Sequence, residues 1–464
     1  MGTYTESECR TVLIACCIAG FITPLISTMM NLSLLNIGNE FGVGSHEQGY
    51  VNTAFLLSSV VFMVPLAKFA DIHGKKMTFM MGTSVLAVAC LIAPLSPSFW
   101  FLIMCRVIMG FGSAALVTTS IAMITDVFPS DLRGGAIGFQ TMCVYIGLAA
   151  GPPLGGILND LFGWHSLFLV IIPIAAAALM CISRFGHEIV VDPGSSMDGT
   201  GSVLYGLAIA LSMGGVINMP QPWAFVMLAV GLVFLVLFIR SQIASDGRLL
   251  NVGLFRNRVF AGSCLTAFLN YASSYSISFF LALYLQTIGC LTATEAGMLM
   301  LVQPAIQAVG TPYFGKLSDR MSEKRILPTL GMLLSAGGTS LFLLYGLEAD
   351  FPLIVLTMAV VGLGFSLFSA PNTSIIMGSV DRSETGEASA MVAVMRQTGM
   401  MVSMGVAMLF ISVIMGSMDN LTPETYDSFL TVMRFSFALC VIMCLVGACM
   451  SVMRGSSGND ADSA

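Results

Sequence analysis

Fourteen long apolar runs constrain this chain more than any motif does. They lie near 10–34, 48–68, 77–95, 98–123, 135–158, 164–184, 200–218, 222–242, 259–287, 294–316, 326–346, 351–376, 387–416 and 428–453. Each is close to the roughly 20 apolar residues needed to cross a hydrocarbon layer. Lipid offers nothing to an open backbone group, so such runs are expected to be helices. An outer-membrane barrel would show alternating segments of about ten residues instead. Hydrophobic residues make up 56% of the 464 and charged residues 9%, where a soluble domain carries about 25% charge. That deficit excludes an ordinary cytosolic enzyme, a disordered chain and a nucleic-acid binder. The 47 glycines follow no strict period, which excludes collagen. The first run is too long for a removable signal peptide and has no small-residue cleavage site. The expected class is an all-α polytopic membrane protein.

Orientation follows from the basic residues. With the N-terminus in the cytoplasm, 16 of the 19 lysines and arginines fall in cytoplasmic segments, as the positive-inside rule requires. The other three, Arg106, Arg396 and Arg434, lie within apolar runs, and the outer loops carry acids such as Glu40, Asp160, Glu295 and Glu348. Both termini are therefore expected in the cytoplasm, in a multi-pass protein of the cell membrane. The twelve cysteines sit mostly in apolar runs without zinc-ligand spacing, so they are expected to pack as small apolar residues and no metal site is expected. The stretch from His187 to Ser202, rich in Gly, Pro, Ser and Asp, reads as a linker. The predicted organisation is an N-terminal six-helix bundle at 1–186, linkers with two extra helices at 187–258, a C-terminal six-helix bundle at 259–454 and a disordered tail at 455–464.

Two segments repeat. Leu66-Ala67-Lys68-Phe69-Ala70-Asp71-Ile72-His73-Gly74-Lys75-Lys76 follows the second run, and Gly315-Lys316-Leu317-Ser318-Asp319-Arg320-Met321-Ser322-Glu323-Lys324-Arg325 follows the run near 294–316. Each is an acid in a turn followed by a basic cluster. Duplicated helical halves are a common plan for secondary transporters. The fifth run carries Gly147, Gly151 and Gly155 on one face, with Gly156 and the bend-favouring Pro152 and Pro153 beside them. Such a face lets a neighbouring backbone approach closely.

With these segments the chain resembles the major facilitator superfamily over almost its whole length. The turn at Asp71 resembles the family's loop signature, with Ala67, Phe69 and Lys75 in place of the usual Gly, Leu and Arg. The Gly147–Gly156 run resembles the signature of its drug-efflux antiporters, and Cys105-Arg106-Val107-Ile108-Met109-Gly110 its fourth-helix arginine motif. The two extra central helices, Leu254-Phe255-Arg256-Asn257-Arg258, Pro371-Asn372 and Arg396-Gln397-Thr398-Gly399 are similar to the 14-helix drug:proton antiporter branch. The resemblance implies the major facilitator fold and export of amphipathic compounds by alternating access. The driving force would be a proton gradient, with no cofactor, in a protein functional as a monomer.

The residues then take expected roles. Asp71 reads as a state lock engaging a helix N-terminus or Arg133, with Asp319 as its counterpart and Lys75 and Lys76 anchored at anionic headgroups; a solvated loop is the alternative. Arg106 is costly near the bilayer centre and should face the bundle interior. It would act in coupling, or else bond helix carbonyls. Arg396 and Arg434 are expected to snorkel. Substrate-facing candidates are Asn31, Gln140, Tyr145, Asn270, Tyr271, Tyr275, Gln303, Gln307 and Asn372, each equally able to tie helices together. The branch's intramembrane Asp in the first helix is replaced by Ile26, and no acid falls centrally in a run. Proton coupling must then use an edge acid, Glu387, Asp126 or Asp160. A cavity without a deep carboxylate suits neutral or weakly anionic amphiphiles better than dications. A dedicated transporter of a single metabolite or organic anion on the same scaffold is the competing function. A sensor or enzyme is not expected, since the sequence has no phosphate-binding glycine loop, metal cluster or nucleophile triad.

Overall fold

The computed structural model describes residues 4–190, 197–244, 249, 252–321, 323–380, 385–416 and 421–454. The predicted tail lies outside the described residues, as do the side chains of Arg133, Asp319 and Glu387. Fourteen helical spans are present and, among the described residues, no strand. In the first half these are α1 (Glu6–Phe41), α2 (Ser45–His73), α3 (Lys75–Leu95), α4 (Phe99–Val127), α5 (Ser130–Phe162) and α6 (His165–Ser183). Two further helices follow, α7 (Gly199–Ile217) and α8 (Pro222–Ala244). The second half holds α9 (Arg258–Thr287), α10 (Ala293–Met300 continued by Val302–Arg320), α11 (Ile326–Leu344), α12 (Phe351–Gly378), α13 (Thr385–Ile414) and α14 (Pro423–Met453).

Span ends follow local chemistry that hydropathy does not report. Helix α1 starts at Glu6, earlier than the apolar run, because Thr5 and Glu8 form a reciprocal capping box. It runs on to Phe41 through a 3₁₀ turn at Met30–Ser33 and stops at Gly42, whose φ of +66° suits glycine. Twelve of the fourteen spans are long and apolar enough to cross a membrane on those criteria alone. Helices α9 and α10 are not among them: they carry Asn270, Ser273, Ser276, Gln307 and Thr311, all buried.

Helices α1–α6 pack as one bundle and α9–α14 as the other. The bundles meet along two seams, α5 against α10 and α2 against α13, and the α7–α8 hairpin lies over the second. It is fastened there by Tyr205 Oη, which donates to the Val60 carbonyl at 3.0 Å, and by Tyr50 Oη, which donates to Asn218 Oδ1 at 2.7 Å. Helix α8 turns Trp223, Phe225, Val226, Val233 and Val236 outward, an apolar surface suited to lipid. The linker prediction from His187 is corrected at its start. Residues Phe185 to Ile189 fold back onto the first turn of α3, where Lys75 N–H donates to the Ile189 carbonyl at 2.9 Å.

Candidate functional site

A cavity lies between the halves, and its lining is unequal. Helices α9, α10, α12 and α13 supply thirteen of sixteen lining residues, while Thr28, Leu148 and Pro152 come from the first half. On α9, Tyr271 and Tyr275, and Ser274 and Ser278, are spaced by four and share one face; on α10 Gln303 and Gln307 do the same. Phe365 meets Tyr271 edge-on at 5.4 Å between ring centroids. Met300, Met358 and Met400 complete an adaptable apolar wall. No charged side chain lines the cavity among the described residues.

Of the nine candidates, Tyr271, Tyr275, Gln303 and Gln307 reach this lining. Tyr145 stands at the seam, its hydroxyl 2.8 Å from Ser369 Oγ, and Arg396 is close enough to act on it electrostatically. Arg396 itself is half-buried. Arg434 is exposed and donates to the Tyr345 carbonyl at 3.2 Å. The other four candidates tie helices together. Asn31 accepts from Asn52 at 2.7 Å, and Gln140 is buried against Gly20. Asn270 donates to Met332 Sδ at 3.2 Å. Asn372 accepts from Arg454 at 2.5 Å and donates to the Ser263 carbonyl at 3.0 Å. Sequence reading missed Thr28, Ser274 and Ser278, because an isolated helical hydroxyl mostly bonds its own backbone, as Thr28 does to the Pro24 carbonyl at 2.9 Å. The signal available for the two serines was their three-residue spacing from Tyr271 and Tyr275, which puts them on nearly the same helix face.

Arg106 is fully buried, as expected of an intramembrane arginine facing the interior. Its Nε donates to the Val51 carbonyl at 2.8 Å, and the guanidinium lies over the Phe55 ring at 4.6 Å. Neither Nη1 nor Nη2 has a hydrogen-bond partner, and no carboxylate pairs with it among the described residues. Tyr275 links it to the cavity: that hydroxyl lies within electrostatic reach of Arg106 and 2.8 Å from Ser27 Oγ.

The turn after α2 is built differently from the expectation. Lys75 is 5% exposed and cannot reach headgroups; its Nζ lies 3.2 Å from Asp71 and 2.5 Å from Asp126. Lys76 is half-buried and donates to the Phe185 carbonyl at 2.5 Å. A buried ammonium needs anionic partners, which is why both local acids turn toward Lys75. The carboxylate at the α3 N-terminus is Glu188, missed in the linker reading, which accepts from Lys76 N–H at 2.8 Å and Met77 N–H at 3.1 Å. The glycine face acts as predicted: Gly147, Gly151 and Gly155 lie directly against Phe21, Thr28 and Met29 of α1. Gly156 faces another way, against the Ala293 carbonyl of α10.

The family model described as Major Facilitator Superfamily matches residues 16–242 and 263–461. The riboflavin transporter RibZ of Clostridioides difficile is 28% identical over 390 residues, covering 83% of this chain and 84% of that one. The multidrug resistance protein Stp of Mycobacterium tuberculosis is 28% identical over 394 residues, covering 83% and 73%. Among solved structures, a bacterial homolog of the human lysosomal transporter Spinster, inward-facing and unoccupied, superposes with a TM-score of 0.68 at 16% identity over 97% and 98% of the two chains. A chain of fourteen spans in two helical halves around a shared cavity, matched by that model over most of its length, belongs to the major facilitator superfamily of secondary transporters.

Proposed function

We propose that this protein exports neutral, aromatic-bearing amphiphiles across the cell membrane in exchange for protons, by alternating access around the α9–α10 cavity. The observation that carries the reading is the lining itself. Two tyrosines, two glutamines and two serines at helical spacing offer ring faces and neutral hydrogen-bonding groups without a fixed charge. An uncharged lining stabilises a desolvated cation poorly, whereas amide and hydroxyl groups discriminate strongly for a matching polar edge. Relatives named for riboflavin and for multidrug resistance fit a cavity of this chemistry. A dedicated transporter of one metabolite is the second reading, favoured by the fixed polar set from two helices. In either case the protein acts as a monomer, with the basic ends of its helices toward the cytoplasm and no cofactor.

The test is transport in proteoliposomes under an imposed pH gradient, with a panel of neutral aromatics, organic anions and a divalent quaternary ammonium. Neutral aromatics are expected to move fastest, and only with the gradient. Equal export of the divalent cation would overturn the substrate class, and gradient-independent transport would overturn the coupling. Saturable transport of one compound alone would select the second reading.

A further inference from the structure

The end of the molecule opposite the basic turns carries Glu40, Asp160, Glu295 and Glu348. There the last turn of α5 meets the first turn of α10, across the two halves. Asp160 Oδ2 accepts from Thr294 N–H at 2.7 Å and from Thr294 Oγ1 at 2.6 Å. Helix α10 partly satisfies its own start: Thr292 Oγ1 accepts from Glu295 N–H at 3.2 Å, and the Glu295 carboxylate accepts from Thr292 N–H at 2.9 Å. Thr294 N–H is left for a partner outside the helix, and the partner comes from the other half. Helix N-termini present unsatisfied donors and partial positive charge, so a carboxylate is favoured there.

The backbone around this contact is shaped for closure. Gly156 of α5 lies against the Ala293 carbonyl, and Gly297 of α10 against the Pro152 carbonyl, so a Cβ at either position would hold the helices apart. On the α2–α13 seam, Gly49 is covered by the flexible Met408 side chain, not by a backbone carbonyl. Toward the basic end α5 and α10 show another character: Gly135 and Gly138 have open space beside them, and Val309 and Tyr313 are 79% and 65% exposed. The described hydrogen bonds Ser27–Tyr275, Tyr145–Ser369 and Gln397–Ser59 also cross between halves, but they pair uncharged side chains. A proton cannot remove a charge from them.

We infer that Asp160 and Thr294 form a proton-responsive latch closing the acidic mouth: ionised Asp160 holds α5 to α10, and its protonation lets the halves part there. This rests on the reading that the two halves rock about the cavity. Several of the other charged and titratable groups at that end are already engaged. Glu295 is held in the α10 capping box, Glu40 accepts from Trp164 Nε1 at 2.6 Å with His165 3.7 Å away, and Arg434 donates to Tyr345. No lysine or arginine pairs with Asp160 among the described residues, so its charge is balanced by the α10 N-terminus alone. The latch would therefore deliver the effect of an outside proton to the conformational equilibrium without any acid at the membrane centre.

Hydrogen exchange of the peptide covering 293–300, measured on the full chain in lipid nanodiscs without substrate, tests this directly. After correction for the chemical exchange rate, wild-type protection should fall several-fold between about pH 7 and about pH 3, the range across which an ordinary aspartate carboxyl takes up its proton. Asp160→Asn keeps an acceptor without a titratable charge, so its protection should be intermediate and independent of pH. Asp160→Ala should lose protection at both pH values while the amides of α3 stay protected, which separates release of the latch from misfolding. Flat wild-type protection, or a pH response retained in Asp160→Asn, overturns the latch. Gradient-driven transport by a wild type with flat protection would leave the transport reading standing and the latch refuted. A pH-dependent α10 start without gradient-driven transport would do the reverse.

Discussion

At the basic end of the first half, Lys75 lies between Asp71 and Asp126, and Glu188 caps α3. At the same end of the second half, Arg325 pairs with its near neighbour Glu323 at 2.9 Å, and both side chains are more than a third exposed. Arg454 is buried there and reaches uncharged Asn372 and Ser263; burial, with Arg325 close by, pushes its guanidinium down to about 10. The two repeats thus differ in how their described charges are paired. The first half encloses Lys75 between two carboxylates and packs α1 on a glycine face, and it also buries Arg106, which has no anionic partner among the described residues. The second half supplies most of the polar residues that line the cavity, while its Asn270 and Asn372 tie helices together.

The contrast can be broken first at Lys75. Replacing it with Met leaves two carboxylates facing a low-dielectric site. A fully buried pair loses about 3–5 kcal/mol on such a change. Here Asp71 and Asp126 are 39% and 30% exposed, so about 2–4 kcal/mol is expected after solvent screening, read as a lower thermal midpoint in detergent. Next comes Gly155→Val, which drives a branched side chain into Met29 and should cost about 1–3 kcal/mol by overpacking; an unchanged midpoint would refute the close α1–α5 approach. The double change Gln303→Leu and Gln307→Leu sharpens the other side of the comparison. It should raise KM for hydrogen-bonding substrates about tenfold, leave apolar substrates alone and shift the midpoint little. A uniform loss of rate for all substrates would assign the glutamines to packing. The smallest effect belongs to Arg325→Met, below about 0.5 kcal/mol for an exposed pair. A loss matching that of Lys75→Met would erase the difference between the halves.

Much of this architecture was legible beforehand, for identifiable reasons. Hydropathy is local, so the fourteen runs could be counted even though α9 and α10 are the polar ones. The spacing of Gly147, Gly151 and Gly155 is also local, and it placed them on one face against α1. Arg106 was legible because the cost of a lipid-facing guanidinium leaves little choice. The functions of Lys75 and Glu188 were not legible. Lys75 looks like any topogenic lysine until Asp126, 51 positions away, is brought beside it. Glu188 looks like a linker residue until the chain folds back onto α3. Among the polar intramembrane residues, sequence could not separate Gln303 from Asn372, since either type can line a cavity or tie two helices.

Residue order alone therefore determined the membrane-spanning class, the fourteen apolar runs and the glycine-faced fifth helix. Each is a matter of composition or period within one span. Tertiary structure alone decided which polar groups meet the cavity, that Lys75 is enclosed by acids, and that Asp160 crosses to Thr294. Those facts depend on helices distant in sequence coming within hydrogen-bonding range, and no local period encodes that distance.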